Sequence, residues 1–196
     1  MTPKYVLTRI RKPVQREQAA RNMIIMLLSF AASVSVTRLF LYLTGYPQIG
    51  NGELHIAHVL WGGLSLFIAT IIPIVYANRW AYTLSAIASG IGVGLFIDEV
   101  GKFITQSNDY FYPPAAPIIY AFFLLTVVLY LQIRRPPRTD SRSEMYRALD
   151  QLQEVLDHDL SAVEKSQLIS RLHTITKDDS NPALARLAKE IIEFIE

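Results

Sequence analysis

The sequence predicts an all-α protein: a four-helix transmembrane bundle with a small C-terminal helical domain. Three observations predict it. Four apolar runs each reach bilayer-spanning length, a Pro-rich basic break (RRPPRTDS) follows the last run, and beyond the break apolar residues recur at helical spacing among charged ones. The whole-chain averages of 51% hydrophobic and 18% charged residues conceal this division, so each part is read separately.

Residues 1–22 form a basic arm carrying Lys4, Arg9, Arg11, Lys12, Arg16 and Arg21, and its last part is expected to run as helix into the first span. The transmembrane domain covers 23–133. Span one, 23–43, holds a single charge, Arg38. Its long apolar run, the lack of a small-residue cleavage site and the spans that follow argue against a signal peptide. Span two, 54–77, has no Lys, Arg, Asp or Glu. Span three, 80–104, is free of charge up to Ile97 and then reads DEVGKFI. Span four, 115–133, is uncharged. About 20 apolar residues cross the hydrocarbon core, which each run satisfies. The short loop at 77–80 makes spans two and three a tight antiparallel pair.

Residues 134–141 are a Pro-rich linker and 142–196 a helical tail domain. Met145, Leu149, Leu152 and Leu156 mark its first helix. Ser161 and Glu164 form a capping box that opens a second, with Val163, Leu168, Leu172 and Ile175 on one side. Asn181-Pro182 starts a third, carrying Leu184, Leu187, Ile191, Ile192 and Ile195. A domain this small gains from a neighbour, so a cytoplasmic protein partner or homo-oligomer through 142–196 is a natural expectation beside simple self-packing.

Lys and Arg crowd the N-terminal arm, the loop at Arg79 and the stretch Arg134, Arg135 and Arg138, while loops 44–53 and 105–113 carry none. This asymmetry places both termini in the cytoplasm. The net charge of +2 follows from the topology signal and does not indicate nucleic-acid binding; the partner it implies is the lipid bilayer. The chain has no cysteine, which excludes disulfides, thiolate metal sites, iron–sulfur clusters and c-type haem attachment.

The intramembrane polar residues converge in depth. Asp98 lies roughly 9 Å inside the outer end of span three, Arg38 roughly 8 Å inside that of span one, and His58 roughly 6 Å below the same surface. Ions at such depth are costly in lipid, so these groups should face one another or water. On span two His55, His58, Gly62, Ser65 and Ala69 form one stripe, and on span three Ala86, Gly90, Gly94, Asp98 and Lys102 form another. Gly90 and Gly94 allow a second helix to come close. Asp98 and Lys102 stand in the favourable i,i+4 order. Glu99 is rotated by about 100° from Asp98, so one carboxylate is expected at the His stripe and the other at Arg38 or a different neighbour. Asn51 and Glu53 read as the start of span two, with Glu53 also a candidate ligand. Asp109, Tyr110 and Tyr112 complete the outer face.

Glu53, Asp98, Glu99 and Asp109 against Arg38 and Lys102 leave the cluster near −2, a charge that a divalent cation or protonation would balance. Imidazole with carboxylate suits Zn, Fe or Mn better than Ca or Mg. In that reading His55, His58, Asp98 and Glu53 hold the metal, Asp98 or Glu99 is the catalytic base, and Arg38 or Lys102 holds an anionic group of a lipid or small amphiphile undergoing hydrolysis.

The strings ELHIAHVLWGGL (53–64), GVGLFIDEVGKFI (92–104) and NDYFY (108–112) resemble an uncharacterised group of bacterial four-span membrane proteins. The resemblance implies a bacterial, inner-membrane, four-span protein and carries no activity. Three functional readings stay open at this point: a metal-dependent site that leaves enzymatic activity undecided, a scaffold whose charge cluster locks the bundle and whose tail recruits a partner, and a proton or ion pathway or pH sensor.

Overall fold

The computed structural model describes residues 13–45, 57–107, 109, 112–135, 140–178 and 180–196. Among them are eight α-helices and no strand. In chain order they are α1 Ala19–Thr44, α2 His58–Val75, α3 Arg79–Asp98, α4 Val100–Ile104, α5 Ala115–Ile133, α6 Ser141–Leu156, α7 Ala162–Thr176 and α8 Pro182–Ile195. The chain divides into two compact units, Gln18–Arg135 and the described residues of Met1–Glu17 with Pro136–Glu196.

In the first unit α1, α2, α3 and α5 are long and apolar enough to cross a membrane. Phe40, Trp61, Phe96 and Tyr120, one from each of these helices, are more than half exposed. Water is a poor solvent for such a surface and lipid a good one, so this is a multi-pass membrane protein.

The small residues decide which helices touch. Gly90 and Gly94 of α3 lie against α1: a Cβ at Gly90 would overlap the Met26 carbonyl oxygen, and one at Gly94 would stand 2.7 Å from Ser33 Cβ. Gly92 meets α2, where its Cβ would stand 2.8 Å from the Gly62 carbonyl oxygen. α3 is thus held between α1 and α2 at near-backbone contact. Hydroxyls bridge the same seams. Ser33 donates to the Ile91 carbonyl at 3.1 Å, Ser65 to that of Ala88 at 2.8 Å, and Ser85 to that of Ala69 at 2.7 Å. α5 packs along α1 through the buried Phe30, whose ring centroid lies 6.0 Å from that of Phe122 and 5.8 Å from that of Phe123.

Expected spans two and three compare differently with the described helices. The expected start of span two at 54 lies outside the described residues; α2 runs from His58, after the extended Ala57 (φ −70°, ψ 142°), to Val75. Span three is not one helix to 104: α3 stops at Asp98, Glu99 leaves helical geometry (φ −91°, ψ 7°), and the five-residue α4 follows. α1 closes on Gly45 (φ 69°), a left-handed conformation suited to glycine, with its N–H on the Leu41 carbonyl.

The second unit has its own core of Met145, Ala148, Leu168, Leu172, Ile175, Ala188, Ile191, Ile192 and Ile195. The capping box of Ser161 with Glu164 and the Asn181 cap before Pro182 are formed. The core face of α6 is shifted from the expected one. Ala148, Leu152 and Val155 join Met145 inward, while Leu149 and Leu156 are exposed, as are Val163 and Leu187. Arg147 and Gln151 are buried as well. Arg147 pairs with Glu144 at 2.6 Å, and Arg171 engages Glu144 and takes both oxygens of Glu17, each at 3.0 Å. This network fastens the segment before α1 to the tail helices.

Asp140 caps α6, accepting from the Ser143 N–H at 3.1 Å. Ser141 donates to Asp178 at the end of α7. Hydrogen bonding by Ser143 holds the Asp140 carboxyl below the ordinary 3.8, and hydrogen bonding by Ser141 and then Ser180 does the same for Asp178. Groups lowered on folding stabilise fully above the unfolded value, and that contribution is lost as pH falls through the folded values. The melting temperature of the tail helices should therefore fall on acidification below about pH 4. Asp140→Asn with Asp178→Asn should flatten that dependence, as followed by far-ultraviolet circular dichroism.

Candidate functional site

Where α1 stops, α2 starts and α3 stops, five ionisable side chains meet. The break at Glu99 builds the meeting point. α3 ends at Asp98, whose carbonyl accepts from Arg38, and the Glu99 carboxylate reaches the first turn of α2.

Arg38 takes the first of these groups. Its Nε donates to Asp98 Oδ1 at 2.5 Å and its Nη2 to the Asp98 carbonyl at 3.4 Å. One guanidinium thus pairs a carboxylate and sits at a helix C-terminus, where a cation suits the dipole. Glu99 does the reverse at α2. Its Oε2 accepts the Val59 N–H at 2.9 Å, one of the amides that a helix start leaves without an internal partner. Its Oε1 receives Lys102 Nζ at 2.5 Å. His58 lies between the two acids, with Nε2 3.3 Å from Asp98 Oδ2 and Nδ1 3.8 Å from Glu99 Oε2. Both carboxylate side chains are fully buried, while Arg38 keeps 41% of its side chain exposed.

The geometry refines the expectations. Lys102 pairs with Glu99 across i,i+3 at 2.5 Å. Asp98 meets both Arg38 and His58, and Glu99 takes Lys102 and the Val59 N–H, the different neighbour that the sequence left open. Asp98 and Glu99 also converge on His58, which an unbroken helix would forbid. Of the remaining candidates, Glu53, His55 and Tyr110 lie outside the described residues, as does the expected cap Asn51. Asp109 and Tyr112 are exposed, with the Asp109 N–H on Thr105 Oγ1 at 2.8 Å.

Among the described residues no group of three or more His, Asp or Glu is arranged to hold a metal ion. His58 Nε2 and Asp98 Oδ2 are the closest donor pair, and Asp98 Oδ1 and Glu99 Oε1 already face cations.

No protein-family model, no curated protein and no solved structure matches this chain. The chemistry of the cluster must carry any functional reading. Two contributors were invisible in the sequence because they are backbone groups, the Val59 N–H and the Asp98 carbonyl. Ser33 and Ser85 were also missed. Small hydroxyl residues within apolar runs were the available signal for them.

Proposed function

We propose that the protein is a membrane scaffold: the cluster locks three spans together, and the bundle anchors the helical tail 142–196, through which a cytoplasmic partner or a second copy is recruited. The observation that carries this reading is the pairing of each buried carboxylate with its own cation, Asp98 with Arg38 and Glu99 with Lys102. Among the described residues of the cluster, the two carboxylates are matched by two cations. Glu99 also accepts the Val59 N–H at the start of α2, a structural use of that carboxylate. The Lys and Arg distribution favours cytoplasmic termini, and the resemblance of the span strings favours a bacterial inner membrane.

Asp98→Asn separates this reading from a metal-dependent hydrolase. The lock predicts a lower thermal unfolding temperature for the purified protein and unchanged content of Zn, Fe and Mn by elemental analysis. An unchanged unfolding temperature together with loss of a bound metal would sink the scaffold reading.

A further inference from the structure

An apolar groove of about 330 Å³ runs between α1 and α5 in the membrane-spanning unit. Phe30, Val34, Ile119, Tyr120 and Phe123 supply its walls, and Arg38 is its charged lining residue. The volume is at the lower end of small-ligand pockets. The ends of the groove differ in kind. α1 and α5 run antiparallel, so Arg38 and Ala116 stand at one end while Phe30 and Phe123 stand at the other. Arg38 lies roughly 9 Å from the end of α1 at Thr44, shallow enough for a long cationic side chain to reach the headgroup boundary.

The groove opens on a helix surface bathed by lipid, so hydrocarbon rather than water is what fills it. The partly exposed guanidinium is the costly element there. Asp98 pairs with it from within and is fully buried, while 41% of the Arg38 side chain stays exposed on the groove side where a lipid would lie. Arg offers a planar fork that matches a phosphate, and it can hold a carboxylate and a phosphate on different edges.

We propose that this groove is a binding site for one phospholipid, with its phosphate at Arg38 and an acyl chain laid between α1 and α5 toward Phe30 and Phe123. The occupant is defined by both ends together: an anionic headgroup for the guanidinium and a flexible apolar chain for the aromatic walls. The site does not depend on the scaffold reading, because it needs only the exposed face of Arg38 and the groove beneath it.

The test uses the full-length protein in detergent and native mass spectrometry, with phosphatidylglycerol and diacylglycerol of identical chains as probes. Wild type should retain one phosphatidylglycerol with about tenfold preference over diacylglycerol, a difference that one charge-assisted contact supplies. Ala116→Trp fills the mouth from α5, and Ser35→Trp fills it from α1. Both positions are exposed, so the helix contacts of the lock are left in place. Each variant should lose the retained lipid by about tenfold while its unfolding temperature without added lipid stays at the wild-type value. Equal retention of the two lipids overturns the headgroup assignment. Undiminished retention in a filled variant that melts like wild type overturns the groove. If one Trp variant fails to fold, the other decides.

Discussion

Arg38→Ala is expected to destabilise the membrane bundle by about 3–5 kcal/mol, the range seen when one partner of a buried ion pair is removed. The cost comes from what is left behind. The Asp98 side chain is fully buried, and its Oδ1 and backbone carbonyl both lose the guanidinium. His58, 3.3 Å from Oδ2, is the nearby group that can respond, and it cannot replace a bidentate cation at the end of α3. Arg38→Met with Asp98→Leu should cost much less than the two single changes added together, because well-packed apolar groups can replace a buried pair with little loss. The measurement is thermal unfolding in detergent micelles across the four members of the cycle. Additive losses, with no recovery in the double variant, would mean that Arg38 and Asp98 do not stabilise each other. The lipid groove would then be the remaining role for Arg38.

The gross architecture was legible because it depends on run length and composition, and these survive any detail of side-chain placement. The four spans and the capped tail helices are of this kind. The stripe Gly90, Gly94 and Asp98 was readable from period alone, since every fourth residue of a helix shares a face. Glu99 was not. Its direction depends on a break in α3 that DEVGK does not announce, because no proline lies there and Gly101 comes after the break. The break is stabilised from outside the segment, by Arg38 on the Asp98 carbonyl and by the Val59 N–H on the Glu99 carboxylate. Tertiary partners of this sort leave no local pattern. The tail shows the same limit. Arg147 and Gln151 count as surface residues in any hydrophobicity reading, yet both are buried, Arg147 beside Glu144 and Glu17, while Leu149 and Leu156 face outward.

The glycines give the other large effect, and they give it with opposite signs at neighbouring positions. Gly90→Ala should destabilise the bundle by at least about 1–3 kcal/mol, the usual cost of overpacking, because the added methyl meets the Met26 carbonyl oxygen and the Phe30 backbone nitrogen. These are main-chain atoms in α1, so no rotamer change relieves the overlap. α1 must retreat as a body, and it would draw Arg38 from Asp98 and Ser33 from the Ile91 carbonyl as it went. Gly62→Ala should act similarly on the α2–α3 seam, where the methyl would stand 2.9 Å from the Gly92 carbonyl oxygen and 3.0 Å from the Phe96 nitrogen. At Gly63, one residue on, a Cβ meets nothing within 4 Å. Gly63→Ala should therefore be neutral, or stabilising by up to about 1 kcal/mol through helix propensity. Thermal unfolding of the three variants in one detergent distinguishes contact from propensity. Equal shifts at Gly62 and Gly63 would show that propensity alone governs both sites and that α2 and α3 are not in backbone contact. A larger loss at Gly90 than at Gly62 is expected, because retreat of α1 also opens the Arg38–Asp98 pair. Gly90→Ala should then cost less on an Arg38→Met/Asp98→Leu background, where that pair is already gone.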